Sequence, residues 1–253
     1  MMKLLNRILL MALSAAALVS CDKGSDPEPE LPAWNKNRTA TIQFYSRFTN
    51  EPLFKNADYV PVVSRIRSSV QQVAVLHRSD AVYGASDPVN PMAAVAAVAG
   101  KVPFFLLNRF VGQRAEGSGI LIGHTVAKME TVSVSDGSRL LSLPTRANAS
   151  ISMTFACVAF ENESQVTSGA EIIRKNLTEA TVLVGVAPVA LKQKLSSEFA
   201  APNCRLVTIE STSSAGNQLV FVLTTLKWVV REHTETAVGA EGISCLDIQI
   251  EAL

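Results

Sequence analysis

Short apolar runs of strand length recur along the chain from about residue 39 onwards. Residues 39–45 alternate between polar and apolar side chains, which predicts a strand with one buried face. Residues 181–184 form an apolar run of the kind that is buried on both faces of a sheet. Further strands are predicted at residues 73–76, 104–107, 119–122, 129–134, 151–160, 206–209, 219–223, 227–232 and 246–251.

Helical segments are predicted between some of these strands. Residues 60–72 and 163–176 carry apolar side chains at three- and four-residue spacing, the amphipathic helical pattern. Residues 88–100 begin with proline and end with glycine, which are helix start and stop signals, and residues 189–198 are a further predicted helix. Strands outnumber helices by roughly ten to three or four, so we expect helices that cover stacked sheets.

The first twenty residues follow a different pattern. Lys3 and Arg7 precede an apolar stretch of about twelve residues, whereas a membrane-spanning helix needs about twenty. The stretch ends in Leu-Val-Ser before Cys21, as in a secretory signal with a lipidation site. We therefore predict a signal peptide at residues 1–20 and acylation of Cys21, which would hold the mature protein at a membrane. An ordinary signal peptide with a chance cysteine is the alternative.

The segment that follows the cysteine has little to bury. Residues 21–38 are polar and rich in proline, so we expect a flexible tether followed by one domain at residues 39–253. The acidic residues soon after Cys21 resemble the export signals of surface lipoproteins in Bacteroidetes. That resemblance favours the outer membrane or the cell surface over the inner membrane.

The charge, histidine and cysteine content of the chain gives no indication of a nucleic-acid partner or of a metal site. The chain has 23 basic and 22 acidic residues without a basic run, so no nucleic-acid partner is expected. The histidines, at positions 77, 124 and 233, lack metal-ligand spacing, and each is expected to be a surface or satisfied polar residue. Cys157, Cys204 and Cys245 lie far apart in sequence and contain no zinc-binding pair. We expect small buried thiols, with one disulfide as an open alternative.

Several motifs at the ends or starts of predicted strands resemble those of the endonuclease/exonuclease/phosphatase superfamily. The best preserved is Arg114-Ala-Glu116-Gly-Ser-Gly, in the place of a Gly-Glu-Gly or Gly-Glu-Ser element that precedes a strand in the family. Phe-Tyr-Ser46 stands where the family's first strand ends in Tyr-Asn or Trp-Asn. Val-Leu-His-Arg78 stands where the family has Leu-Gln-Glu, whose glutamate holds the divalent metal ion.

Three later segments of the chain stand where the family has further motifs, but they lack the functional side chains of those motifs. The strand that ends near Ala159 has neither the asparagine nor the histidine of the family's Asn-Thr-His-Leu motif. The next loop keeps Gly185 of Gly-Asp-Phe-Asn and has Val186 in place of the aspartate. Near the end of the chain, Cys245 and Leu246 replace the aspartate and histidine of a closing Ser-Asp-His.

The resemblance implies a fold and a loss of activity. The fold is a four-layered α/β sandwich, in which two packed mixed sheets are flanked by helices. The family cleaves phosphoesters with a divalent cation held by carboxylates, yet Arg78 repels such a cation, and Val186 and Leu246 offer it no lone pair. The resemblance therefore implies an inactive relative without catalytic residues, metal or other cofactor. Its vestigial cleft would contain Ser46, Arg78, Glu116, Val186 and Leu246.

Binding or scaffolding in the cell envelope is the predicted function, with an unknown envelope protein or a glycan as the ligand. One alternative is an active metal-dependent phosphoesterase or nuclease with a substituted site. Another is an unrelated sandwich that serves as an adhesion or assembly subunit. Ser118 and Ser244 lack the sequence frame of a nucleophile elbow, so no serine triad is predicted.

Overall fold

Two six-stranded sheets packed face to face form the centre of the protein. The computed structural model describes residues 38–48, 53, 59–69, 72–82, 91–111, 114–123, 126, 128–135, 137–146, 151–213, 217–239 and 242–253. The described part of the chain from Arg38 to Leu253 is one compact unit. The predicted signal peptide, the lipidation site at Cys21 and nearly all of the predicted tether lie outside the described residues and stay predictions.

The first sheet is mixed. Its strands are β1 (Thr39–Ser46), β2 (Val73–Val82), β3 (Val102–Val111), β4 (Arg114–Ile122), β11 (Trp228–Val238) and β12 (Ile243–Ala252), in the spatial order β11-β12-β1-β2-β4-β3. β1 and β2 pair in parallel, and the other neighbours pair antiparallel.

The second sheet repeats this arrangement. Its strands are β5 (Glu130–Ser135), β6 (Ser138–Arg146), β7 (Ser152–Ala159), β8 (Thr181–Pro188), β9 (Cys204–Glu210) and β10 (Gln218–Thr225), in the spatial order β5-β6-β7-β8-β10-β9. β7 and β8 are its parallel pair. Each sheet therefore contains one parallel pair, and a parallel pair places the carboxyl ends of its strands at one edge.

Helices cover the outer faces of both sheets. The helices are α1 (Tyr59–Ser68), α2 (Pro91–Ala99), α3 (Glu163–Asn176) and α4 (Lys192–Glu198), with a short 3-10 helix at Val189–Leu191. α1 and α2 pack on the first sheet, and α3 and α4 pack on the second. No helix in the described residues is both long enough and apolar enough to cross a membrane. Helix, sheet, sheet and helix make the four-layered α/β sandwich that the motifs imply, so that prediction is confirmed.

Apolar side chains between the sheets form the largest buried cluster. Along β8, Val182 and Val184 point into this central cluster, whereas Leu183 points into the cluster under α3. β8 is thus buried on both faces, as its apolar run predicts. Fully burying one such side chain contributes about 1.5–3 kcal/mol relative to leaving it exposed. Trp228 is also buried in the central cluster.

One strand was missed by the sequence pattern. β6 lies between β5 and β7, where Leu140 and Leu141 are buried on opposite faces. Its Pro144 pairs with Thr154 of β7. Proline cannot donate to a strand ladder and therefore argues against a strand in sequence. Burial of the leucines on two faces outweighs that penalty here.

Cap geometry fixes the start of α3 next to the end of β7. The side chain of Asn162 accepts a hydrogen bond from the backbone N–H of Gln165, at 3.0 Å. The side-chain oxygen of Gln165 accepts in return from the backbone N–H of Glu161, at 2.6 Å. The first bond satisfies an N–H group that the first turn leaves without a helical partner, and the second ties Glu161 to that turn. Glu161 is thereby held at the rim of the second sheet.

Candidate ligand-binding cleft

A bulge in β2 brings two consecutive side chains into one cleft. The pairing of β2 with β4 shifts register between Leu76 and Ser79, and Arg78 has a positive φ of 55°. Consecutive side chains of a regular strand point to opposite faces. The bulge breaks this alternation, so His77 and Arg78 both line the cleft.

A second bulge acts in the same way on β3. The pairing of β3 with β4 shifts register between Leu107 and Arg109. Asn108 and Arg109 consequently both line the cleft, opposite Glu116 of β4. Three neighbouring strands of the first sheet therefore contribute polar side chains to one wall.

The other wall comes from the carboxyl ends of the second sheet's parallel pair and from the start of β10. The cleft has a volume of about 440 Å³. Its lining residues on this side are Ala159, Phe160, Glu161, Val186, Ala187, Pro188 and Gln218. Ligands of α/β sheets commonly bind outside the carboxyl ends of the strands, and this cleft has that position.

Four charged side chains form a continuous chain of ion pairs across the cleft. Arg78 lies 3.3 Å from a carboxylate oxygen of Glu116. Arg109 contacts both oxygens of Glu116 from the other side, at 3.2 Å each. Arg109 also reaches Glu161, which follows β7 of the second sheet, at 3.4 Å. Positive and negative groups alternate, so the four charges sum to zero.

His77 lies deep in the cleft wall as a neutral imidazole. Only 4% of the residue is exposed, and its ring stacks on Phe44 with centroids 5.7 Å apart. Burial, aided by the nearby charge of Arg78, lowers the pKa of His77 to about 3. Its Nδ1 has no hydrogen-bond partner among the described residues. The sequence-based expectation that His77 is a surface or satisfied polar residue is therefore wrong.

Two side-chain amides, one from each wall of the cleft, also have an unpaired oxygen. The side-chain oxygens of Asn108 and Gln218 are buried and have no hydrogen-bond partner within the described part of the chain. Leaving a buried polar group unpaired costs about 1–3 kcal/mol. Three hydrogen-bonding groups without a partner among the described residues therefore line one cavity, which makes this cavity the candidate ligand site.

The residues of the cleft do not fit the divalent cation that the resemblance implies. Such a cation prefers several carboxylate oxygens, and Glu116 already contacts two guanidinium groups. At about 4 Å, two unit charges repel by about 4 kcal/mol if the effective dielectric constant is about 20. A divalent cation carries twice that charge, so on Glu116 it would be repelled about twice as strongly by each of Arg78 and Arg109 at such a distance.

The structure brings together three of the five residues predicted for the vestigial cleft. Arg78, Glu116 and Val186 line the cavity. Ser46 is buried at the end of β1, where its hydroxyl oxygen accepts a hydrogen bond from the backbone N–H of Phe48 at 2.8 Å. Leu246 is buried in the central cluster between the sheets. Neither is among the residues that line the cavity.

Residues near the closing motif belong to a different polar cluster. Asp247 pairs with Arg65 of α1 at 2.5 Å and accepts a hydrogen bond from the amide of Gln43 at 2.7 Å. Tyr45 donates its hydroxyl proton to the same Gln43 at 2.8 Å. Cys245 is buried beside them, in the cluster under α1 and α2. This network links the first sheet to α1 and explains how these polar side chains are buried.

Sequence reasoning missed much of the polar lining. Asn108 and Arg109 interrupt an apolar strand at 102–111, and that interruption is the available signal. Glu161 and Gln218 stand at the ends of predicted elements, where polar residues are common. Nothing in their local sequence separates them from ordinary loop residues, because only the packing of the two sheets brings them to one cavity.

Solved structures of endonuclease/exonuclease/phosphatase proteins are similar in fold to this chain. A family member from Beutenbergia cavernae DSM 12333 gives a TM-score of 0.63 at 11% identity, over 85% of this chain and 72% of that one. The human Nocturnin catalytic domain, solved with a bound sulfate anion, gives 0.63 at 8% identity, over 85% and 94%. A family member from Bacteroides vulgatus gives 0.59 at 9% identity, over 85% and 99%.

Sequence comparison alone finds no relative. No protein-family sequence profile matches the chain, and a search of curated proteins found no match. The likeness to the solved structures is therefore one of fold. This chain has the endonuclease/exonuclease/phosphatase fold, and the resemblance noted in its motifs is confirmed at that level.

Proposed function

We propose that this protein is a lipid-anchored protein of the cell envelope whose domain binds a ligand in the cleft and does not cleave phosphoesters. The observation that carries the proposal is the environment of Glu116. This acid is the cleft residue that best keeps its place in the family motifs, and two arginines neutralise it. The cleft thus keeps the position of an active site and has a chemistry suited to binding.

The position of Arg78 supports this proposal further. A non-glycine residue in the left-handed region carries a backbone cost of order 1–3 kcal/mol, and such strain persists where the surrounding structure over-determines it. Here the strained backbone directs a guanidinium group to Glu116, and the side chain is only 11% exposed. The strained backbone thus allows Arg78 to pair with Glu116. This ion pair competes with a metal ion for the Glu116 carboxylate.

A turnover assay tests the loss of catalysis. The purified protein is incubated with Mg²⁺ or Mn²⁺ and a panel of phosphomonoesters, phosphodiesters and single-stranded oligonucleotides. We expect rates equal to those without protein. Metal-dependent turnover that is abolished in Glu116→Ala and kept in Glu161→Ala would overturn the proposal. Glu161 is the matched control because it pairs with the same Arg109 and is 56% exposed at the rim.

The envelope location is tested separately. Cys21→Ser should abolish incorporation of labelled palmitate and release the protein from the membrane fraction, because two or more acyl chains are needed for a stable anchor. Cys204→Ser is the control, since Cys204 is a buried thiol of the folded domain. Palmitate labelling that is unchanged in Cys21→Ser would refute the anchor. Digestion of the domain by protease added to intact cells would identify the cell surface.

A further inference from the structure

We propose that the ligand of the cleft is a neutral saccharide of one or two rings, held by hydrogen bonds to His77, Asn108 and Gln218. This inference rests on the proposed binding function and adds the chemical class of the ligand. It is carried by three features of the same cavity: its unsatisfied hydrogen-bonding groups, its balanced charge and its apolar wall.

The unsatisfied groups match hydroxyl groups. A hydroxyl donates one hydrogen bond and accepts others, so it satisfies either a donor or an acceptor. The amides of Asn108 and Gln218 each offer an oxygen acceptor and a nitrogen donor. The Nδ1 atom of neutral His77 donates or accepts, depending on which ring nitrogen carries the proton. A ligand with several hydroxyl groups satisfies all three whichever way the amides face.

The charge balance disfavours an ionic ligand. Arg78 and Arg109 are the cations of the cleft, and both already contact Glu116. An anionic ligand would have to displace this carboxylate or share its partners, and a cationic ligand would meet the two guanidinium groups. Because the four charges sum to zero, a neutral ligand leaves the ion-pair chain intact and avoids the cost of separating it.

The shape of the cavity fits one or two sugar rings. Its volume of about 440 Å³ lies within the usual range of small-molecule sites, about 300–1,000 Å³. Val186 and Pro188 are aliphatic lining residues on the wall of the second sheet. A sugar ring has a C–H face and a hydroxyl edge. The two aliphatic residues can pack on the C–H face, while the polar wall of the first sheet contacts the hydroxyl edge.

Calorimetric titration of the full-length chain tests this proposal. The chain is kept in a polyoxyethylene detergent, whose headgroup carries no sugar. The neutral probes are maltose, cellobiose, xylobiose, mannobiose and N,N′-diacetylchitobiose, and the charged probes are inorganic phosphate and glucose 6-phosphate. We expect one or more neutral disaccharides to bind and the charged probes not to bind. We also expect a tenfold rise in salt to change the affinity less than about twofold, because no net charge is paired.

Two near-isosteric variants locate the binding. Asn108→Leu and Gln218→Met remove the amides, and each should weaken disaccharide binding by about tenfold or more, the effect of one lost hydrogen bond in a buried site. Gln249→Met is the matched control, since Gln249 lies on β12 and does not line the cleft. Thermal unfolding of every variant confirms that it folds.

Three results would overturn the proposal: no neutral probe binds, binding is unaffected by both amide variants, or a phosphate-bearing probe binds more tightly than every neutral probe. The turnover assay is scored separately. Metal-dependent phosphoester cleavage with intact disaccharide binding would overturn the proposed function alone. Absence of both cleavage and disaccharide binding would overturn the ligand class and leave the non-catalytic function standing.

Discussion

The burial of His77 makes the stability of the domain depend on pH in a defined window. Its pKa falls from an ordinary value of 6.5 to about 3 in the folded state. Between these values the unfolded chain binds a proton that the folded protein does not bind. The free energy of unfolding is therefore not reduced by His77 above about pH 6.5. It decreases as the pH falls from there towards 3.

The size of the effect follows from the two pKa values. At pH 5.5 the imidazole of the unfolded chain is protonated in a ratio of about ten to one, while the folded protein keeps it neutral. The free energy of unfolding should then be about 1.4 kcal/mol lower than at pH 7.5. For a domain of about 200 residues, this corresponds to a decrease of about 3–6 °C in the unfolding temperature.

Urea denaturation at pH 7.5 and pH 5.5 measures this difference. The control is His77→Asn, in which the pH dependence from this group disappears. An NMR titration of the imidazole in the unmutated protein gives a second measurement that does not depend on the variant folding, and its signal should keep the neutral position down to about pH 4. Equal pH dependence in the two proteins, or titration of His77 near pH 6.5, would refute the reasoning.

Three further predictions concern the core. Gly185→Ala should destabilise the domain by about 1–3 kcal/mol in urea denaturation, because a Cβ at this position would lie 2.1 Å from the ring of Phe221; unchanged stability would contradict this contact. Phe155→Ala should cost about 3–5 kcal/mol, since Phe155 is fully buried between the sheets, and a loss below 1 kcal/mol would place it elsewhere. Burial raises the pKa of the Cys157 and Cys245 thiols to about 12, so both should react with a thiol reagent only in denaturant, and rapid reaction in native buffer would argue against their burial.

Much of the fold follows from local patterns in the sequence. The amphipathic pattern predicts the bounds of α3, 163–176, because the spacing of its apolar residues is set within a few turns of the helix itself. The apolar run of β8 predicts a central strand for the same local reason. β6 could not be predicted, since Pro144 opposes a strand locally and only the neighbouring strands supply the burial that compensates for it.

The cleft depends on the tertiary structure to a much greater extent. The motif frames place Arg78, Glu116 and Val186 at strand ends, and the structure brings these three to one cavity. Ser46 and Leu246 occupy matching motif positions but lie outside its lining. Whether a side chain at a strand end faces a cleft or the core depends on bulges and on strand direction. Neither can be read from residue types alone.

The residue pattern alone predicts the stacked sheets with covering helices and the central strand β8, because both follow from the order of apolar and polar residues along short segments. Three features of the cleft emerge from long-range packing: two bulges direct adjacent polar side chains into one cavity, Arg109 connects Glu116 to Glu161, and His77 is buried as a neutral base. These features arise from contacts between residues far apart in the chain, and their energies depend on burial.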